Sequence, residues 1–236
     1  MLVVLYGSKF FHDVVYAGVG DDLQNFFHYM MLISVFILSL VLIMMYRISS
    51  SVYKYRSYKK SELLEWVWTV IPMIILGVLW FPSASNLYLM NHVDEPKWSF
   101  KAIGHQWYWS YEFLSKDHEQ LSIDSYLASS SEETGSYRLL DVDQRMVAPA
   151  KTQIRLLVGS VDVLHSFALP ALMLKVDAIP GRMNQLPFSA HRAGVVYGQC
   201  SEICGVNHSF MPIVVEFIPM KEFAQWLSKV RDQQLG

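Results

Sequence analysis

Gly198-Gln199-Cys200-Ser201-Glu202-Ile203-Cys204-Gly205-Val206-Asn207-His208-Ser209-Phe210-Met211-Pro212 contains both cysteines of the chain. A histidine follows the second cysteine by four residues and a methionine comes three later. Thiolate, imidazole and thioether are soft donors, a set that selects copper over magnesium, calcium or manganese. His165, upstream, is able to complete the set. The run leads straight into Ile213-Val214-Val215-Glu216-Phe217, a β-branched stretch that reads as a strand.

Working outward, residues after about Asp94 alternate between short strands and turns. Lys97–Ile103, Gln106–Phe113 and Gln153–Val158 are apolar or aromatic runs bounded by Pro and Gly. Leu127 to Ser136 reads as a loop. Several strands at this spacing predict a small Greek-key sandwich or barrel. From Met220 to Gln233 the apolar residues Phe223, Trp226, Leu227 and Val230 form a helical stripe.

The first 90 residues have a different composition. Leu23 to Tyr46 and Trp66 to Val93 carry no Asp, Glu, Lys or Arg. Each exceeds the roughly 20 residues needed to cross a bilayer core. Pro72 and Pro82 lie inside the second run, where a membrane helix tolerates them. Ser61 is a candidate N-cap, with Glu62 and Glu65 near the positive end of the helix dipole. Between the runs, Arg47, Lys54, Arg56, Lys59 and Lys60 outnumber Glu62 and Glu65. The positive-inside rule puts this loop in the cytoplasm or matrix, and both chain ends with the cysteine cluster on the other side. The net charge of −2, without a basic run interleaved with aromatics, gives no sign of nucleic-acid binding.

Copper that carries electrons must change valence with little rearrangement. One cysteine, two histidines and a weak methionine make a mononuclear site. A second cysteine four residues away allows two bridging thiolates and a metal pair, with His165 and His208 on separate ions. A Cys200–Cys204 disulfide, a zinc site and two inert thiols are the alternatives, and a disulfide leaves His208 and Met211 without a role.

Three further motifs accompany the Tyr197–Pro212 run: Gly104-His105-Gln106-Trp107-Tyr108-Trp109-Ser110-Tyr111-Glu112, Asp162-Val163-Leu164-His165-Ser166 and Lys175-Val176-Asp177-Ala178-Ile179-Pro180-Gly181-Arg182. In these four motifs the chain resembles the cytochrome c oxidase subunit 2 family. The likeness covers roughly residues 20 to 230. Where the family usually has tryptophan just past the first ligand histidine, this chain has Phe167.

The resemblance implies a two-helix transmembrane hairpin followed by an all-β cupredoxin-like Greek-key barrel. It divides the chain into an outer N-terminal segment (1–22), helix I (23–47), a matrix loop (48–62), helix II (63–92), a CuA domain (93–219) and a C-terminal helix and tail (220–236). It implies a binuclear copper centre held by His165, Cys200, the Glu202 backbone carbonyl, Cys204, His208 and Met211. The Glu202 side chain is implied to bind magnesium shared with subunit 1. Trp107 is the implied electron entry from cytochrome c, Glu65 the mouth of a proton path, and Asp177 and Arg182 part of a segment packing near subunit 1. The implied partners are subunit 1, other oxidase subunits, cytochrome c and membrane lipid. The implied place is the mitochondrial inner membrane, with the copper domain in the intermembrane space. The implied activity passes electrons from cytochrome c to haem and copper in subunit 1, reducing oxygen with proton pumping.

Eight acids between residues 112 and 143 (Glu112, Asp117, Glu119, Asp124, Glu132, Glu133, Asp141, Asp143) face only Lys116 and Arg138. Such a patch would steer a basic donor. Competing readings are a thioredoxin-fold copper-delivery protein, a quinol oxidase subunit and a nitrous-oxide-reducing enzyme. The first lacks the trailing His and Met, the second has lost the copper ligands, and the third carries no two-span anchor.

Overall fold

Both apolar runs form single long helices, α1 (Gly18–Ser49) and α2 (Glu62–Asn91), in the computed structural model, which describes residues 18–53, 60–93, 96–114, 120–128 and 137–235. At 1.5 Å per residue the 30 residues of α2 extend about 45 Å, more than a hydrocarbon core of about 30 Å. Pro72 and Pro82 do not interrupt α2. Ser61 Oγ accepts the Leu64 amide at 3.4 Å, capping the helix start. Ser34, Ser39 and Thr69 donate their hydroxyls to carbonyls four residues back, so these polar groups need no water. The apolar side chains point outward: Leu32, Phe36, Leu76 and Val78 are all more than half exposed. A soluble core helix would bury them, so this surface suits lipid. Asp22, Phe26 and Tyr29 share a groove of about 260 Å³ with Pro82, Asn86 and Leu89, which makes the helix pair antiparallel. Of the basic loop residues, Lys54, Arg56 and Lys59 lie outside the described residues.

The remainder is an all-β unit. Its first sheet contains β1 (Trp98–His105), β2 (Tyr108–Leu114), β3 (Gln120–Ser125), β5 (Ile154–Ser160) and β8 (Asn184–Phe188), in the order β3-β2-β1-β5-β8. The second, β4-β10-β9, contains β4 (Met146–Pro149), β9 (Gly194–Gln199) and β10 (Pro212–Ile218). β6 (His165–Leu169) and β7 (Leu174–Ala178) form a two-stranded ribbon. β1 pairs parallel with β5 and β4 with β10, while the other ladders are antiparallel. This mixed pairing belongs to a Greek-key barrel rather than a meander.

Inward positions follow the strand period of two. Phe100 and Ala102 of β1, Ile154, Leu156 and Val158 of β5, and Ile213, Val215 and Phe217 of β10 are buried in one core. The helix α3 (Met220–Leu235) closes an end of the barrel: Phe223 is fully buried and meets Trp98 edge-on at 5.3 Å, as Trp226 meets Phe113 at 5.2 Å. Gln106 and Trp107, read from sequence as strand, instead form the two-residue turn of a hairpin in which His105 faces Tyr108. That turn, the β5–β6 connection and the β9–β10 loop converge on the cysteines.

Candidate metal centre

Gln199 of β9 pairs with Pro212 of β10, so residues 200–211 are the loop joining two paired strands. It carries Cys200, Glu202, Cys204, His208 at the start of a short 3-10 turn, and Met211. His165 comes from a separate strand, as the first residue of β6. The Ser201 amide donates to the Ser166 carbonyl at 3.0 Å and ties the loop to that strand. Two glycines allow the approach. A Cβ on Gly198 would lie 1.9 Å from the Ala168 carbonyl oxygen, and one on Gly104 would lie 2.8 Å from the His165 ring.

The donors fall into a line of two sulfurs flanked by two nitrogens. The sulfurs are 4.0 Å apart. His165 Nδ1 lies 3.9 Å from Cys200 and His208 Nδ1 lies 3.5 Å from Cys204. Met211 Sδ sits 3.5 Å from Cys204 Sγ, and the Cys200 thiol donates to the Glu202 carbonyl at 3.3 Å. His165, Cys200, Cys204 and Met211 are all buried. Both cysteines are free thiols, so the structure holds no Cys200–Cys204 disulfide.

Electrostatics separates the two thiols. Burial opposes ionisation of Cys200, but hydrogen bonds from His165 and from the backbone at Ser166 and Glu202 outweigh it and lower its pKa. Cys204 is raised by burial and then by the negative charge of Cys200. The first thiolate therefore opposes the second, and a cation between them removes the conflict. His165 is raised despite burial, through its hydrogen bonds to Cys200 and Asp162. Asp162 is lowered despite burial, through the His165 hydrogen bond and the amides of Val163 and Gln106.

Trp107 is half-buried at the tip of the β1–β2 turn, beside the cysteine loop. Gly205, at φ +124°, faces it, and a Cβ there would lie 3.1 Å from the indole. Glu202 is partly exposed. Glu65 lies in the first turn of α2, 3.9 Å from Lys60, in a loose surface ion pair. Asp177, within β7 opposite Ser166, and Arg182, beyond the ribbon, are both exposed. Phe167 is buried and meets Trp109 edge-on at 5.5 Å, keeping an aromatic in that place.

The acidic run is smaller as a surface than as a sequence. Asp117, Glu119, Glu132 and Glu133 lie outside the described residues. Glu112 pairs with Lys101 at 3.1 Å and Asp141 is buried against Arg145 at 3.4 Å. Asp124 and Asp143 remain exposed. Sequence reading did not single out Gln106, Asp162 or Gly104, which surround His165. The position of Asp162 three residues before His165, and of Gly104 and Gln106 in the turn motif, was the available signal.

Residues 98–218 match the family model described as the periplasmic domain of cytochrome c oxidase subunit II. Residues 11–85 match the model of its transmembrane domain. The chain belongs to the cytochrome c oxidase subunit II family. It is 52% identical over 235 residues to cytochrome c oxidase subunit 2 of Mytilus edulis, covering 94% of this chain and 97% of that one. It is 49% identical over 216 residues to the subunit 2 of Metridium senile, covering 91% and 87%. The crystal structure of the periplasmic domain of subunit II of cytochrome oxidase of Bradyrhizobium japonicum aligns with a TM-score of 0.55 and 44% identity, covering 60% of this chain and 99% of that one. A subunit II chain is one part of a cytochrome c oxidase, an enzyme complex with other subunits. This one is a membrane protein with a two-helix transmembrane region and a cupredoxin-like domain, and its cluster of one histidine and two cysteines points to copper.

Proposed function

We propose that the chain is the electron-entry subunit of a mitochondrial cytochrome c oxidase. It receives electrons from reduced cytochrome c beside Trp107 and hands them to the haem and copper centres of subunit 1, where oxygen is reduced with proton pumping. The observation that carries this reading is the order of donors, nitrogen–sulfur–sulfur–nitrogen, with a thioether and a carbonyl at the sides. Six donors exceed the four that a tetrahedral zinc takes, whereas two thiolates able to bridge can serve two ions. His165, Cys200, the Glu202 carbonyl, Cys204, His208 and Met211 would hold the copper pair. Bound there, the pair would supply a one-electron store.

The protein's own part is to hold these donors still. The loop is clamped between β9 and β10, His165 is packed under Gly104, and the surrounding core excludes water. Preorganisation of this kind reduces rearrangement when the charge changes. Trp107, on a turn packed against Gly205, offers an aromatic contact between a docked donor and the cysteine loop. Exposed Asp124 and Asp143 would attract the basic face of cytochrome c. The Glu202 carboxylate, on the loop that holds the sulfurs, is suited to a hard cation such as magnesium shared with subunit 1. Glu65, at the head of α2, is the proposed start of a proton path. The proposed setting is the inner mitochondrial membrane, with both helices in contact with lipid and the barrel in the intermembrane space.

Copper analysis and electron paramagnetic resonance of the purified, copper-loaded chain test the reading. The expected result is two coppers per chain and a hyperfine pattern of one electron shared over two nuclei. One copper with a single-nucleus pattern, or zinc as the native metal, would overturn it.

A further inference from the structure

The Asp162 carboxylate is a hub outside the donor set. Its Oδ1 accepts the Val163 amide at 2.6 Å, His165 Nε2 at 2.8 Å and the Ser160 hydroxyl at 3.3 Å. Its Oδ2 accepts the Gln106 amide at 2.7 Å. The Gln106 side chain continues the path, with Nε2 donating to the Cys204 carbonyl at 2.8 Å. A single chain of contacts therefore joins the Cys204 loop, the β1–β2 turn that carries Trp107, and the His165 ring.

We propose that Asp162 and Gln106 act as a clasp that positions the metal donors, Asp162 by orienting the His165 ring and Gln106 by locking the Cys204 loop to the same carboxylate. The inference rests on the reading of these donors as the copper site.

Three arguments support it. With Nε2 engaged by Asp162, the ring directs Nδ1 toward Cys200, so the carboxylate selects which nitrogen faces the sulfur. Carboxylate partners of this kind fix ring orientation at metal sites, and their loss weakens metal binding by about 10–100-fold. Secondly, the clasp ties three segments together: Asp162 accepts from its own 160–165 segment and from the Gln106 turn, and Gln106 donates to the Cys204 loop, so a shift of one segment alone leaves a polar group unpaired. Thirdly, Gly205 makes room for the clasp: a Cβ there would lie 3.3 Å from Gln106 Nε2 and 3.1 Å from the Trp107 ring. The clasp thus also sets how closely Trp107 approaches the Cys204 loop.

The test uses the full-length chain in detergent, loaded with copper, in wild type, Asp162→Ala, Gln106→Ala and the double variant. Two quantities are read: the copper hyperfine pattern, and the rate of copper loss to a chelator. Asp162→Ala is expected to make the two halves of the hyperfine pattern unequal and to speed copper loss at least tenfold. Gln106→Ala, which keeps its backbone amide on Asp162, is expected to speed loss several-fold with a smaller spectral change. In the double variant the two effects should fall well short of their product, because both act through one carboxylate. Asp162→Asn is the second variant should the alanine form not fold. Its amide oxygen can still accept His165, while its NH₂ opposes the Gln106 amide, so it should behave like Gln106→Ala. Glu222→Gln, on the exposed face of α3, serves as the unaffected control. Wild-type spectra in every variant, or effects that multiply fully, would overturn the clasp. A purely structural role would lower the melting temperature yet leave the hyperfine pattern unchanged, and that result also overturns it. If wild type itself shows no shared-electron spectrum, the copper reading has failed rather than the clasp.

Discussion

Adding one methyl group at Gly104 should disturb the metal centre more than any other single-carbon change in the first sheet. The new Cβ would stand 2.8 Å from His165 Cδ2 and 2.9 Å from Cγ. Ordinary carbon contacts begin near 3.5 Å, so about 0.7 Å must be found at the nearer atom. β1 has little room to retreat, because it is paired on both sides, with β2 and β5. The ring is held by Asp162 at 2.8 Å and backed by Trp109 at a centroid distance of 6.0 Å. Overpacking of this kind costs about 1–3 kcal/mol. For a barrel of this size, about 2 kcal/mol corresponds to roughly an 8 °C fall in melting temperature. A ring displaced by that distance also exceeds the ~0.2 Å within which metal–ligand lengths normally fall. Gly104→Ala should therefore melt earlier and show an altered copper hyperfine pattern in the copper-loaded chain. An unchanged melt would refute the packing argument. A lower melt with an unaltered copper spectrum would show that β1 yields and His165 does not move, which refutes the link from glycine to metal.

Gly198→Ala places a Cβ 1.9 Å from the Ala168 carbonyl oxygen, so β6 and β9 must part by more than an ångström. It should cost about 3 kcal/mol or more, seen as a lower denaturant midpoint, and an unshifted midpoint would contradict the close approach of these strands. Phe223→Ala removes a fully buried ring from the closing helix and should cost about 3–5 kcal/mol by the same measurement, whereas a loss under 1 kcal/mol would mean that α3 does not close the core. In the metal-free chain the Cys200 thiol is lowered and Cys204 raised, so with rising pH the Cys200 thiolate forms first. Limited alkylation near neutral pH followed by peptide mass analysis should find Cys200 labelled before Cys204, and the reverse order would contradict the hydrogen-bond pattern.

The architecture was legible where one signal dominates. An uncharged run of helical length has few alternatives: the run at 23–46 lies within a helix, and the run at 66–93 is helical as far as Asn91. The strands rich in β-branched residues beside the metal loop were equally plain. Shorter strands such as Met146–Pro149 and Asn184–Phe188 were not, since each contains a proline and only its partner strand defines it. The turn at Gln106-Trp107 was read as strand because its aromatic content matches the flanks, and no glycine or proline marks it. At the site, donor chemistry showed in residue types alone, which is why Cys200, Cys204, His208 and Met211 could be grouped by spacing. The pairing of each sulfur with its own histidine could not, because His165 reaches Cys200 only through the contact between β6 and the loop after β9. The acidic run misled in the other direction. Charge counted along a chain does not reveal that Asp141 is buried on Arg145 or that Glu112 is spent on Lys101.

The donors differ in how far along the chain they travel to meet. Of the proposed ligands, Cys200, Cys204, His208 and Met211 span one loop, whereas His165 arrives from 35 residues upstream of Cys200. An unravelling barrel would therefore release the distant imidazole first and leave the local ligands still grasping metal. On the proposed copper reading, assembly would run the opposite way: the loop would catch an incoming ion before the polypeptide is fully shaped, and the late histidine would then seal the cage.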